Sequence, residues 1–228
     1  MWTIEHPDGR RVETLTEAGI VGKIGMNDRG VGVLLNILGH RDDGPPVGIP
    51  IHALCRSVLD QADGAVTAVE MAAAADVSAS SAITIVTDEE GGTACSVEVS
   101  PAGPGFATPD GRGVLVHTNH FLEHPGRDGE SAVRDAPGTI LRLDLARRRM
   151  AAMAAGTVTA DGVLGAMASH RGGASDMCCH PEPGAALGDR WTTLATVVAE
   201  PALRELRVHR GGPCQIAAAS TTAAAARQ

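Results

Sequence analysis

Two short runs rich in β-branched residues, 82–87 (Ala-Ile-Thr-Ile-Val-Thr) and 93–99 (Thr-Ala-Cys-Ser-Val-Glu-Val), have polar positions scattered among apolar ones and an acidic, glycine-bearing stretch at 88–92 between them. Two such runs on either side of a turn predict a pair of antiparallel strands. An earlier hairpin is predicted by the apolar stretches 18–26 and 31–37, which flank Asn27-Asp28-Arg29-Gly30. Glycines at 19, 22, 25, 30 and 32 are numerous for strands and read either as tight sheet packing or as a place where another backbone or a ligand comes close. Between the two pairs, Pro50 opens a helix running through His52, Leu54, Val58 and Leu59. A second, alanine-rich helix is expected over 65–75, with Val66, Val69 and Met71 as its core contacts.

The second half of the chain repeats the mixture. Residues 100–113, with three prolines, read as a surface loop or hairpin tip, and 114–120 as a strand that ends in polar residues. A helix follows over 140–153, its Arg147-Arg148-Arg149 cluster being a solvated face or last turn, and a shorter one from about 160 to 168. Residues 170–190 are loop-like, and strands at 192–199 and 203–209 are joined by a turn at Glu200-Pro201. Strands, helices, strands, helices and strands in that order favour an α+β layered protein over a doubly wound parallel fold. One domain is expected over 1–214, followed by a low-complexity tail at 215–228 that frays.

Composition narrows the function classes. With 19 basic against 27 acidic side chains the formal charge is −8, and no basic stripe is present, which argues against a nucleic-acid partner. With two Trp, two Phe and no Tyr, aromatic platforms for stacking bases are also missing. No apolar run reaches bilayer-spanning length and the N-terminus has no signal-peptide pattern, so no membrane association and a cytoplasmic location are expected. Cys55, Cys95, Cys178, Cys179 and Cys214 are odd in number and irregularly spaced, as reduced thiols rather than a disulfide framework would be.

The local feature with most chemistry is Val116-His117-Thr118-Asn119-His120, since an asparagine amide at a strand end is able to donate to a developing oxyanion. Polar residues also end strands for purely structural reasons. His117, His120 and His124 with Glu123, and Cys178-Cys179-His180, lack the ligand spacing of a structural zinc site, and no metal is assigned. There is no G-x-S-x-G elbow, Walker loop or dinucleotide glycine fingerprint, and no cofactor is expected.

Thr16-Glu17-Ala18-Gly19-Ile20-Val21-Gly22-Lys23-Ile24-Gly25-Met26-Asn27, followed by Gly30-Val31-Gly32-Val33 and Asn36, resembles the acyl-CoA:6-aminopenicillanic acid acyltransferase family. Val116-His117-Thr118-Asn119-His120-Phe121-Leu122 resembles that family's second motif, at the right spacing. The resemblance implies a four-layer αββα sandwich of the N-terminal-nucleophile hydrolase type. It also implies amide hydrolysis or acyl transfer of a small-molecule substrate through a cysteine acyl-enzyme, with Asn119 as the oxyanion donor. The family's nucleophile lies well upstream of the first motif, whereas Thr16 here has only fifteen residues before it, and the chain contains no Gly-Cys or Gly-Ser junction. The expectation is therefore an N-terminally incomplete chain, lacking the first strands of the sandwich and inactive alone. The alternatives are a non-catalytic small-molecule-binding descendant and an enzyme completed by a separate chain. In the late loop, Cys179 stands where the resemblance leads one to expect arginine, which removes a bidentate donor.

Overall fold

The computed structural model describes residues 1–153, 158–170 and 177–216. It divides into two compact units, Met1–Asp135 with Ala199–Leu206, and Ala136–Val198 with Arg207–Gln228. The architecture is α+β and its dominant feature is one large antiparallel sheet. Among the described residues no helix is long and apolar enough to cross a membrane.

That sheet lies in the first unit and has seven strands in sequence order, a meander of β1 (Trp2–Glu5), β2 (Arg11–Leu15), β3 (Ile24–Asn27), β4 (Gly32–Ile37), β5 (Ser81–Thr87), β6 (Thr93–Val99) and β7 (Gly105–Ala107). The registers Val33↔Ile85, Ile83↔Val97 and Ser81↔Val99 put Val33, Ile83, Ile85, Val97 and Val99 on one face, all at most 2% exposed. Helix α1 (Ile51–Gln61) covers the β2–β4 part of that face with Leu54, Cys55, Val58 and Leu59, a helical i, i+1, i+4, i+5 stripe. Helix α2 (Ala65–Ala73) covers β5 and β6 through Ala65, Ala68 and Ala72. Each large aliphatic side chain so buried contributes about 1.5–3 kcal/mol. Small alanines let α2 approach the sheet closely, so its larger residues are displaced sideways. Val69 and Met71 reach the core edge as expected, whereas Val66 is 70% exposed.

The opposite face carries Met26, Leu34, Asn36, Ala82, Thr84, Val86, Ser96 and Glu98. It is smaller in side chain and more polar than the helix-covered face. Ser96 is fully buried and shares a 2.5 Å hydrogen bond with Thr84, and Ala199 stands over Gly32 on the same side.

The β3–β4 hairpin turns at the expected residues, and Asn27 explains why. Its Oδ1 accepts from the backbone N–H groups of Arg29 (3.1 Å) and Val31 (2.9 Å), while its Nδ2 donates to the carbonyls of Leu59 (3.0 Å) and Ala62 (2.8 Å) at the end of α1. One buried amide therefore closes a turn and caps a helix. Gly30 completes the turn at φ +83°, where a Cβ would stand 2.3 Å from the Arg204 guanidinium. Arg204 in turn pairs with Asp88 at 2.9 Å. The first expected stretch is strand only from Ile24, because the glycine-rich run before it forms a loop closed by Thr16 Oγ1 donating to Ile20 O.

Residues 114–118 carry no ladder pairing, contrary to the strand expected over 114–120. The free edge of β6 is taken by the shorter β7, in register Val97↔Phe106. The 114–118 run is fixed at its ends by side chains instead, with Asp110 Oδ1 accepting from the Val114 N–H at 3.1 Å and His117 drawn to Glu98.

After a single-turn helix α3 (Ala132–Asp135), the second unit holds α4 (Gly138–Met153) and α5 (Ala160–Met167). Leu143, Leu145, Ala146 and Leu164 are buried there, while Ile140 and Leu141 are about half exposed. Thr159 caps α5 by accepting from the Gly162 N–H at 3.1 Å. The arginine cluster splits in role. Arg148 pairs with Asp144 in solvent, and Arg149 donates to the carbonyls of Ala166 (3.0 Å) and Ala168 (2.7 Å) at the end of α5. Strands β8 (Ala195–Glu200) and β9 (Glu205–Arg210) form a two-stranded sheet whose turn-proximal residues, Ala199–Leu206, belong to the first unit. Most of the tail expected to fray, and residues 171–176 of the expected loop, lie outside the described residues.

Candidate functional site

The second motif is assembled around a buried carboxylate. Glu98 is the last residue of β6 on the polar face and is 1% exposed. Its Oε1 accepts from His117 Nε2 at 2.6 Å and from the Leu122 N–H at 2.7 Å, and its Oε2 from the Glu123 N–H at 2.9 Å. The His117 side chain is 3% exposed, and its Nδ1 donates to the Thr118 carbonyl at 2.8 Å. Both ring nitrogens are thus within hydrogen-bond distance of an oxygen atom. A buried carboxylate without such partners would be very costly, so Glu98 dictates the path of 117–123.

A second carboxylate holds the far side of this loop. Glu130 accepts from the N–H groups of Phe121 (2.7 Å) and Val133 (3.1 Å), and Phe121 packs edge-on against His40, with ring centroids 5.9 Å apart at 84°. The chain leaving β4 runs alongside, with Arg41 N–H donating to Gly129 O at 2.8 Å and Ser131 N–H to Gly39 O at 3.0 Å. Asp43 fixes that run by accepting from the His40 N–H (2.9 Å) and from Ser80 Oγ (2.6 Å).

Asn119 lies between these two anchors. It is half-buried, and its Nδ2 donates to the carbonyl of Ile37, the last residue of β4, at 3.1 Å. The Asn119 carboxamide is thus tied to a strand end, within a loop held by two carboxylates. His120 is buried with its Nδ1 3.2 Å from Thr118 Oγ1, and His124 pairs with Asp128 in solvent at 3.0 Å. The histidines of this motif and Glu123 are not gathered into one ligand group among the described residues. Glu98, Glu130 and the Ile37 carbonyl carried no mark in the sequence. A glutamate on the polar face of an alternating strand reads as solvent-facing, and only the three-dimensional path of 117–123 shows otherwise.

The cysteines occupy different settings. Cys55 is fully buried under the sheet and burial pushes its thiol up to about 12, while burial also raises Cys95. Neither is an available thiolate at neutral pH. The adjacent cysteines at 178–179 differ: Cys178 is fully buried, its thiol turned toward the Met167 carbonyl at 3.8 Å, and Cys179 is half-exposed. Burial, then the neighbouring Cys178 thiol, raises Cys214. Burial lowers the proton affinity of half-buried Arg142, an effect that neighbouring Cys179 offsets only in part.

An α+β chain with a large antiparallel sheet and a carboxamide held at a strand end has its counterpart among known sequences. A profile of the acyl-coenzyme A:6-aminopenicillanic acid acyl-transferase family matches residues 5–213, and the chain belongs to that family. The acyl-coenzyme A:6-aminopenicillanic-acid-acyltransferase 40 kDa form of Emericella nidulans is 33% identical to it over 124 residues. That match takes in 54% of this chain and 34% of the relative, so the matched part spans about a third of the relative's length.

Proposed function

We propose that this chain supplies the oxyanion-binding part of an amide hydrolase or acyltransferase that works through a cysteine acyl-enzyme. The nucleophilic sulfur is contributed from outside the five cysteines of this sequence. The observation that carries the reading is Asn119, held by Ile37 O and by a loop anchored on Glu98 and Glu130. As a thiolate attacks the substrate carbonyl, the C–S bond forms and the carbonyl π electrons move to oxygen, where the Asn119 amide meets the new charge. The tetrahedral species collapses to an acyl-thioester as the leaving group departs with a proton, and water or an amine then takes the acyl group. Family membership supports this class of reaction and leaves the acyl group unspecified. The burial of Cys55 and Cys178 and the raised thiols of Cys95 and Cys214 argue against those four, and the lack of a Gly-Cys junction before any of the five, Cys179 included, supports placing the nucleophile elsewhere. In the same reading, the seven-stranded sheet with helices on one face is half of a four-layer αββα sandwich, and its polar face receives the second sheet.

The 228-residue chain incubated with a small acyl thioester should give no turnover and no stable acyl adduct on any of its cysteines. Reading the coding sequence upstream of Met1 for an in-frame Gly-Cys followed by Asn-Trp-Asp, or a neighbouring frame for the same motifs, identifies the completing segment. In the completed enzyme, Asn119→Ala should lower turnover by about 10²–10³ while the protein still accumulates. Unchanged turnover in that variant, or an acyl adduct on a cysteine of the present chain, overturns the reading. Cys179 in place of the expected arginine favours one other reading, a non-catalytic small-molecule binder. Saturable amide binding without turnover in the completed form would select it.

A further inference from the structure

Away from the Asn119 loop, the second unit brings three metal-ligating side chains together. His170 Nε2 and His180 Nε2 are 3.0 Å apart, Cys214 Sγ is 3.4 Å from His180 Nε2, and the three atoms all lie within 4.8 Å of one another. The backbone explains the meeting. The Cys178 N–H donates to Ser169 O at 3.3 Å, which sets His170 and His180 just beyond either side of that link. Residue 179 pairs with Thr193 in both directions at 2.9 Å, and the Gly211 N–H donates to Leu194 O at 2.9 Å, so the segment that carries Cys214 returns beside the same loop. Gly212 also packs on Cys178, with a Cβ built there 3.6 Å from the Cys178 Sγ.

We infer that His170, His180 and Cys214 form a three-ligand site for a borderline-soft divalent metal ion, of which Zn²⁺ is the type case. With Zn–N of about 2.0–2.1 Å and Zn–S of about 2.3 Å, tetrahedral angles put two nitrogens about 3.3 Å apart and a nitrogen and a sulfur about 3.6 Å apart. The separations of 3.0 and 3.4 Å are each within a few tenths of an ångström of those spacings. Both histidines are exposed, so an ion has an entry path, and two imidazoles with one thiolate match the ligand preference of zinc. Three protein ligands leave a fourth position for water or an exogenous group. Binding expels the thiol proton of Cys214, and the histidine whose Nε2–H faces the other ring binds as its Nδ1–H tautomer. The bound ion would tie His170 and His180 to the segment that carries Cys214. The inference stands apart from the acyl-transfer reading, since neither the Asn119 loop nor an acyl substrate enters it.

The test is titration of the purified, reduced 228-residue chain with Zn²⁺ and, separately, with Co²⁺ as a spectroscopic substitute. One equivalent of Zn²⁺ per chain is expected. Bound Co²⁺ should show intense tetrahedral d–d bands together with a thiolate-to-cobalt charge-transfer band. His170→Ala, His180→Ala and Cys214→Ser should each weaken Zn²⁺ binding by more than about 100-fold, above the range seen for losing an outer-shell partner. The Co²⁺ spectrum is read on the unsubstituted chain and needs no variant to fold. Absence of stoichiometric Zn²⁺, a Co²⁺ spectrum without the thiolate band, or binding indifferent to all three substitutions overturns the inference. So does a Cys178–Cys214 disulfide whose reduction restores no metal binding.

Discussion

Replacing Glu98 with alanine removes one acceptor group from three donors at once. The carboxylate is 1% exposed, and its contacts with His117 Nε2, Leu122 N–H and Glu123 N–H are 2.6, 2.7 and 2.9 Å long. A buried donor left without an acceptor costs about 1–3 kcal/mol, so three of them bound the loss at roughly 3–9 kcal/mol. The upper end is not reached, because the variant no longer has to desolvate a carboxylate, which itself costs several kcal/mol. Truncating one partner of a buried charged cluster typically costs about 3–5 kcal/mol, and that is the destabilisation expected for Glu98→Ala. Set against a domain stability of about 5–15 kcal/mol, it is a large fraction of the total. Glu98→Gln sharpens the test. If its carbonyl takes the Oε1 place, it keeps His117 and Leu122, and only the Glu123 N–H faces an NH₂ group. The loss should then be that of one orphaned donor, about 1–3 kcal/mol. Urea unfolding followed by circular dichroism measures both variants, and hydrogen exchange at the Leu122 and Glu123 amides reports the loop directly. A Glu98→Ala chain within about 1 kcal/mol of the parent, with those two amides equally protected, would refute the assignment of Glu98 as the anchor of the Asn119 loop.

The remaining predictions concern the scaffold beneath that loop. Asn27→Ala should destabilise by about 2–4 kcal/mol in urea unfolding, since it strips acceptors from two backbone N–H groups and a donor from two carbonyls at the end of α1. A loss below about 0.5 kcal/mol would show that water replaces the amide without cost. Burial raises the Cys55 thiol from 9.0 to about 12, so the folded chain keeps a proton that the unfolded chain gives up. The stability this contributes is fully present below about pH 9 and is lost as pH rises through about 12. Unfolding measured across that window should fall more steeply for the parent than for Cys55→Ala, and equal slopes would contradict the buried, neutral thiol.

How much of this was legible in the sequence depends on whether an interaction is local. The β5–β6 pair is found within a residue of its expected limits, because β-branched composition and the turn at 88–92 are read over a dozen neighbouring positions. Helix α1 is legible for the same reason, with Pro50 at its start and the 54, 55, 58, 59 stripe inside it. Strands β1 and β2 left a fainter mark. Pro7-Asp8-Gly9 is a turn sequence, and Val12 and Thr14, both fully buried, alternate correctly, but polar residues dilute the pattern. The 114–118 run fails in the other direction. Val114-Leu115-Val116 has strand composition, yet a strand exists only where an edge is open to pair with it, and β7 already fills the edge of β6. The candidate site divides along the same line. Asn119 was legible because a contiguous motif carries it, whereas Glu98 acts on residues 19 to 25 positions away and Ile37 meets Asn119 across 82. Local patterning therefore places the carboxamide in the chain, and long-range carboxylate-to-backbone bonds aim it. A substitution at Glu98 that leaves the motif untouched should for that reason disturb the site as much as one within it.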